Sequence, residues 1–115
     1  MRPGIIVAAV SASLLAGAAQ AQPSDATRAD LRCVLGFVAL LQMPAYKDAA
    51  GAGIMYYTGR LDGRDPNVDL AAPLKREAGN MATADYMTEA QRCGRVLKER
   101  SEALKAAGEG LRPGR

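Results

Sequence analysis

Side chains able to do chemistry are concentrated in one stretch, where Tyr56-Tyr57-Thr58-Gly59-Arg60-Leu61-Asp62-Gly63-Arg64-Asp65-Pro66 runs into Asn67-Val68-Asp69. Asp65-x-Asn67-x-Asp69, with Asp62 just upstream, has the oxygen-donor spacing of the first three ligands of a calcium-binding loop. The pattern then fails. Leu70 stands at the sixth position, where Gly makes the sharp turn, and Arg76 at the twelfth, where a bidentate Glu closes the site. Arg60 and Arg64 add charge of the wrong sign for a cation. These side chains are therefore expected to form turns and cap helices, with no metal bound. Exposed ion pairs contribute only about 0–1 kcal/mol each, so stability is a weak reason to gather so many charges. Tyr56, Arg60, Asp62, Arg64 and Asp65 are accordingly the candidate interaction surface.

The rest of the composition excludes more chemistry than it suggests. With no histidine and no tryptophan, the chain lacks the commonest general base, the Ser-His and Cys-His nucleophile pairs and the usual zinc ligands. Its twelve acidic residues all have Lys or Arg close by in sequence, which fits a solvated surface better than a pair of catalytic carboxylates. No catalytic residue and no cofactor are assigned, and the chain is read as a non-enzyme.

The first 21 residues point to a compartment. Met1-Arg2-Pro3-Gly4 is a short basic lead, Ile5 to about Ala18 is apolar apart from two serines, and Ala19-Gln20-Ala21 is a small-x-small cleavage site. This predicts a cleavable secretory signal and a periplasmic location. The apolar run, at about 14 residues, is shorter than the roughly 20 that span a bilayer, and no cysteine stands where a lipid would be attached. Cleavage removes 21 of 115 residues, leaving 94 in a single domain. It also removes Arg2, leaving 14 basic residues against 12 acidic ones. They are interspersed without a basic run, so no nucleic-acid partner is implied, and no membrane insertion is expected after cleavage.

Cys33 and Cys93 are the two cysteines. In an oxidising compartment such a pair usually closes a structural disulfide. The alternatives are a redox pair, which lacks the close C-x-x-C spacing, and free or intermolecular thiols.

The elements that position these residues read as helices. Thr27-Arg28-Ala29-Asp30 fits a capping box before an apolar run, so a first helix is expected from near Thr27 to Met43-Pro44, with Leu31, Val34, Leu35, Val38 and Leu41 on one face. Gly36 inside it costs about 1 kcal/mol against alanine and suggests a closely packed neighbour. A second helix is expected from Lys47 to Arg60 through Ala50, Ile54, Tyr57 and Leu61. Asp62-Gly63 and Asp65-Pro66 then predict a turn over residues 59–68. A short third helix should be capped by Asn67 or Asp69, with Leu70, Leu74 and Ala78 inward and Pro73 in its first turn. A long last helix should open at Thr83, carry Tyr86, Ala90, Cys93, Leu97 and Leu104 on one side, and end at Gly108 and Gly110. No strand and no internal repeat is evident. The expected fold is all-α: a small three- or four-helix bundle with one disulfide joining the first and last helices, a domain over residues 22–107, and a disordered tail over 108–115.

The core from Tyr56 to Pro66, with the export signal and the two cysteines, resembles a group of short, uncharacterised exported proteins of Gram-negative bacteria that carry Y-[YF]-x-G-R-L-D-G-R. That likeness implies no activity. The size, the helices and the cysteine pair are also similar, more distantly, to the HdeA-type periplasmic acid-stress chaperones, which would imply holding client proteins in acid. The separation of Cys33 and Cys93 is longer than in that family. The function expected from sequence is that of a soluble periplasmic binding protein whose partner is another protein. Its alternatives are an acid-stress holdase and a small inhibitor or immunity-type protein.

Overall fold

The computed structural model describes Gly4, residues 23–67 and residues 69–114. The export signal read from residues 1–21 lies outside these apart from Gly4, as do Val68 and Arg115. Four α-helices follow in order: α1 (Asp25–Leu40), α2 (Lys47–Arg64), α3 (Ala71–Ala78) and α4 (Thr83–Gly110), with a 3-10 turn over Pro44–Tyr46 between the first two. There is no strand among the described residues. The architecture is the expected all-α bundle, and a Cys33–Cys93 disulfide, with Cα atoms 5.6 Å apart, joins its first and last helices. No helix among the described residues is long and apolar enough to cross a membrane.

α1 is the hub, because it is apolar nearly all round and each of the other helices needs a surface on which to bury one stripe. Leu31, Cys33, Val34 and Phe37 of α1 form the core with Ala50, Tyr57 and Leu61 of α2 and Cys93 of α4, and Leu70, Leu74 and Leu97 pack around it. Two glycines set the helix spacings. A Cβ on Gly36 would lie 2.8 Å from the Ala90 nitrogen and 2.9 Å from the Tyr86 oxygen, so the α1 and α4 backbones touch there, as the glycine in the first helix suggests. A Cβ on Gly53 would lie 2.6 Å from the Phe37 ring, which fills the space that the small residues at the start of α2 leave. Phe37 in turn stacks on Tyr57, with ring centroids 6.0 Å apart.

Several boundaries differ from expectation, each for a local reason. The cap of α1 is Ser24, whose Oγ accepts from the Thr27 N–H at 3.1 Å, so the helix starts at Asp25 and Asp30 lies a turn too deep to cap it. At the other end α1 stops at Leu40 instead of Met43. The turn expected over residues 59–68 begins only at Asp65, because α2 continues to Arg64. Asp62-Gly63 stays helical: a Cβ at Gly59 or Gly63 would meet nothing, neither glycine has a positive φ, and Arg60 and Arg64 on the same face are both held by Asp30.

Asp69 caps α3 by accepting from the Ala71 N–H at 3.1 Å, and Pro73 lies in the first turn, as expected. At α4 the cap comes from Asp85, which accepts from the Ala82 N–H at 2.7 Å, and not from the Thr83 hydroxyl. Gly108 does not end α4, and the part of the expected tail over residues 108–110 is helical.

Candidate functional site

Tyr56, Arg60 and Arg64 of the candidate surface come together, one helical turn apart on α2, but the charges of the two arginines are already engaged. Asp30 of α1 is buried, with its side chain 5% exposed, and its Oδ2 lies 3.1 Å from Arg60 Nε and 2.6 Å from Arg64 Nη2. Arg60 also lies over the Tyr56 and Tyr57 rings, 5.9 and 6.0 Å from their centroids. Tyr56 is half-buried, edge-on to Tyr57 at 4.9 Å. Asp62 and Asp65 face solvent, and Asp65 accepts from the Asn67 N–H at 3.2 Å in a local turn. With Asp69 capping α3, the former metal-like spacing is divided between two backbone tasks. No group of three or more His, Cys, Asp or Glu side chains among the described residues could hold a metal ion.

A second buried acid mirrors the first. Glu77 of α3, 6% exposed at its side chain, accepts from Arg32 at 2.6 Å and from Arg28 at 3.3 Å, both on α1. Burial pushes the Glu77 pKa up, but the hydrogen bonds from Arg32 and Arg28 outweigh it and leave the carboxyl below its usual value of 4.5. The network continues to α4: Arg32 lies 3.7 Å from Glu89, and Glu89 pairs with Arg92 at 2.6 Å. Arg92 donates to the Ala29 carbonyl at 3.3 Å and lies 3.4 Å from Cys33 Sγ. Asp30 therefore ties α1 to α2, and Glu77 ties α3 to α1.

A further buried polar group is the Tyr57 hydroxyl, which donates to the Cys93 carbonyl at 3.2 Å, and burial raises its pKa. It links α2 to α4 directly beside the disulfide. Both cysteines are 0% exposed, which leaves no path for an attacking thiolate and assigns the disulfide a structural role.

The concave surface lies elsewhere. A groove of about 320 Å³ runs between α4 and the start of α2, floored by the end of α1. Its walls include Leu40, Met43, Tyr46, Met87, Ala90 and Gly94. Met43, Tyr46 and Met87 are 41%, 50% and 43% exposed, unusual for large apolar side chains that share one site. On the flank of Met87 a second cleft of about 360 Å³ is lined by Gly36, Ala39, Thr83 and Tyr86. Neither cleft is lined by a charged side chain, so the surface suits apolar groups. From sequence, Met43-Pro44 read as a helix stop and Tyr46 was not singled out; the 3-10 turn that carries them to the groove was the missing element.

Comparison with protein-family models, with curated proteins and with solved structures finds no match to this chain, so a functional reading rests on the geometry.

Proposed function

We propose that this protein is an exported, non-catalytic binding protein of the periplasm, and that its binding surface is the groove between α4 and the start of α2. The carrying observation is the cluster of Met43, Tyr46 and Met87, exposed around an apolar groove. Methionine adapts to irregular partners, and an aromatic ring adds contact area at low entropic cost. A groove bounded by two helices suits an apolar helix face from a protein partner. Export is supported by the amino-terminal sequence pattern and agrees with a closed, buried disulfide. Arg60, Asp62, Arg64 and Asp65 form a separate charged patch at the end of α2; with Arg60 and Arg64 held by Asp30, Asp62 and Asp65 are its exposed acids.

The test is retention of a partner from periplasmic extract on the immobilised, oxidised protein, with Met87→Asp in parallel. A partner held by the natural protein and lost by the variant is the expected result. Capture that Met87→Asp leaves unchanged would move the binding surface away from the groove.

A second reading, an acid-stress holdase, is favoured by one observation. Beside the apolar core, α3 is held to α1 by the buried Glu77 carboxylate, whereas α4 is held to α1 by a disulfide. Protonation of Glu77 would loosen α3 and spare the disulfide. Light scattering of an aggregating client at about pH 2–3, where carboxylates are protonated, discriminates: no suppression of aggregation removes this reading.

A further inference from the structure

α4 carries a seven-residue repeat that the single chain does not use up. Met87, Gly94, Ser101 and Gly108 recur at intervals of seven, and so do Ala90, Leu97, Leu104 and Leu111, three positions later. Such a double series forms one continuous seam along a helix. Over its first half the seam borders the groove: Ala90 is buried against α1, Leu97 is half-buried, and Met87 and Gly94 line the groove wall. Its second half is bare. Every residue from Lys98 to Gly114 is exposed, Leu104 at 72% and Leu111 at 83%. A helical end of this length, with glycines at 108 and 110, is marginal in water without a packing partner.

We propose that the partner is a second copy of this chain: two α4 helices pair antiparallel, so that the end of each enters the groove of the other. This rests on the reading of the groove as a binding site and names its occupant. Shape selects the orientation. Antiparallel pairing sets one series against the other, which places Leu104 on Gly94, Leu111 on Met87 and Leu97 on Ser101, while Ala90 stays on its own α1. Each of the three leucines then meets a small residue or an adaptable methionine. Parallel pairing would set Gly94 against Gly94 and Gly108 against Gly108, leaving gaps, and leucine against leucine in the other layers.

The available area also fits a pair. Met87 to Leu111 spans about 37 Å at 1.5 Å per residue, and a strip about 10 Å wide supplies roughly half of the ~800 Å² per partner of a standard interface. Leu40, Met43 and Tyr46 on the groove wall add to it, which places the dimer at the lower end of specific interfaces.

Charge sets its salt dependence. Lys98, Lys105 and Arg112, again seven apart, line one edge of the seam, and in the antiparallel pair this edge faces its own copy. Glu102 and Glu109 follow Lys98 and Lys105 by four residues and offset part of the repulsion, and Arg112 lies 3.2 Å from Glu109. Association therefore strengthens as salt rises and screens the basic edges, the reverse of an interface held by ion pairs.

Sedimentation equilibrium of the oxidised protein, over micromolar to millimolar concentration at low and high salt, tests this. The expected result is a reversible monomer–dimer equilibrium that tightens with salt. Leu104→Asp combined with Leu111→Asp should weaken it by about tenfold or more, equivalent to about 1.4 kcal/mol. Because both leucines are largely exposed, the dilute melting temperature should not move. Gly94→Val, at a position where a Cβ meets nothing, should also weaken the dimer by filling the hole for Leu104. A monomer at every concentration, a dimer indifferent to these variants, or one that salt weakens would overturn the proposal. A monomer that still retains a periplasmic partner through Met87 would overturn the dimer alone and leave the binding role standing.

Discussion

Replacing Asp30 by Asn tests whether the arginines of the central charged segment serve folding or recognition. The substitution keeps the shape of a side chain that is 5% exposed and removes the charge facing Arg60 and Arg64 at 3.1 and 2.6 Å. The hydrogen-bonded pair with Arg60 and the ion pair with Arg64 become at best contacts from a guanidinium to a neutral amide oxygen. Breaking a fully buried pair costs about 3–5 kcal/mol, but the two guanidinium side chains are 39% and 32% exposed and regain hydration when released. The loss should therefore approach the roughly 1.5–3 kcal/mol of hydrogen bonds to charged groups, about 2 kcal/mol. For a domain of this size that lowers the melting temperature by about 8–16 °C. Circular dichroism melts of the oxidised protein at neutral pH measure it, with Asp62→Asn as the exposed control, expected within about 0.5 kcal/mol of the natural protein. A shift below about 2 °C for Asp30→Asn, corresponding to well under 1 kcal/mol, would refute the clamp and return Arg60 and Arg64 to the surface as free contact residues.

Three further perturbations follow from the packing. Gly36→Ala places a methyl 2.8 Å from the Ala90 nitrogen and should cost about 1–3 kcal/mol by forcing α1 from α4, read as a lower denaturant midpoint; an unchanged midpoint would show that the helices can part freely. Removing the disulfide, with Cys33 and Cys93 both replaced by Ala, opens a loop of sequence separation 60 and should cost about 4 kcal/mol in the chain-entropy model, leaving the domain largely unfolded on warming. Acid should loosen the α3 tie. The folded Glu77 carboxyl titrates below its usual 4.5, so its contribution is complete above 4.5 and is lost as pH falls through the lower folded value. The denaturant midpoint of the natural protein should accordingly drop on acidification below that point. Glu77→Gln should start lower and fall less, and an identical acid slope in the variant would remove Glu77 as the cause.

Asp30 and Glu77 mark where sequence reading stopped. Each sits beside basic residues in the chain, as surface acids do; Asp30 also reads as a helix-capping acid, and nothing local separates Glu77 from Glu99. Their burial follows from helix packing: Asp30 lies on the side of α1 that α2 covers, and Glu77 on the side of α3 that faces α1. The boundary of α2 was misjudged for a related reason. Asp-Gly is a turn signal taken alone, but Arg60 and Arg64 lie one turn apart and converge on one buried carboxylate, which favours continued helix through Gly63 by more than the glycine costs.

By itself, the sequence determined the helical class and pointed to the close approach at Gly36 and to a Cys33–Cys93 disulfide as the usual outcome for two such cysteines. Periodicity, glycine placement and a count of two cysteines are local or combinatorial properties, and no coordinates are needed to read them. Only the tertiary structure decided which charges are buried, which of two adjacent tyrosines is core, and that Met43 and Tyr46 at the 3-10 turn share one apolar groove with Met87 of α4. Those outcomes depend on the relative placement of helices distant in sequence, which burial of α1 on several sides at once imposes and no single segment encodes.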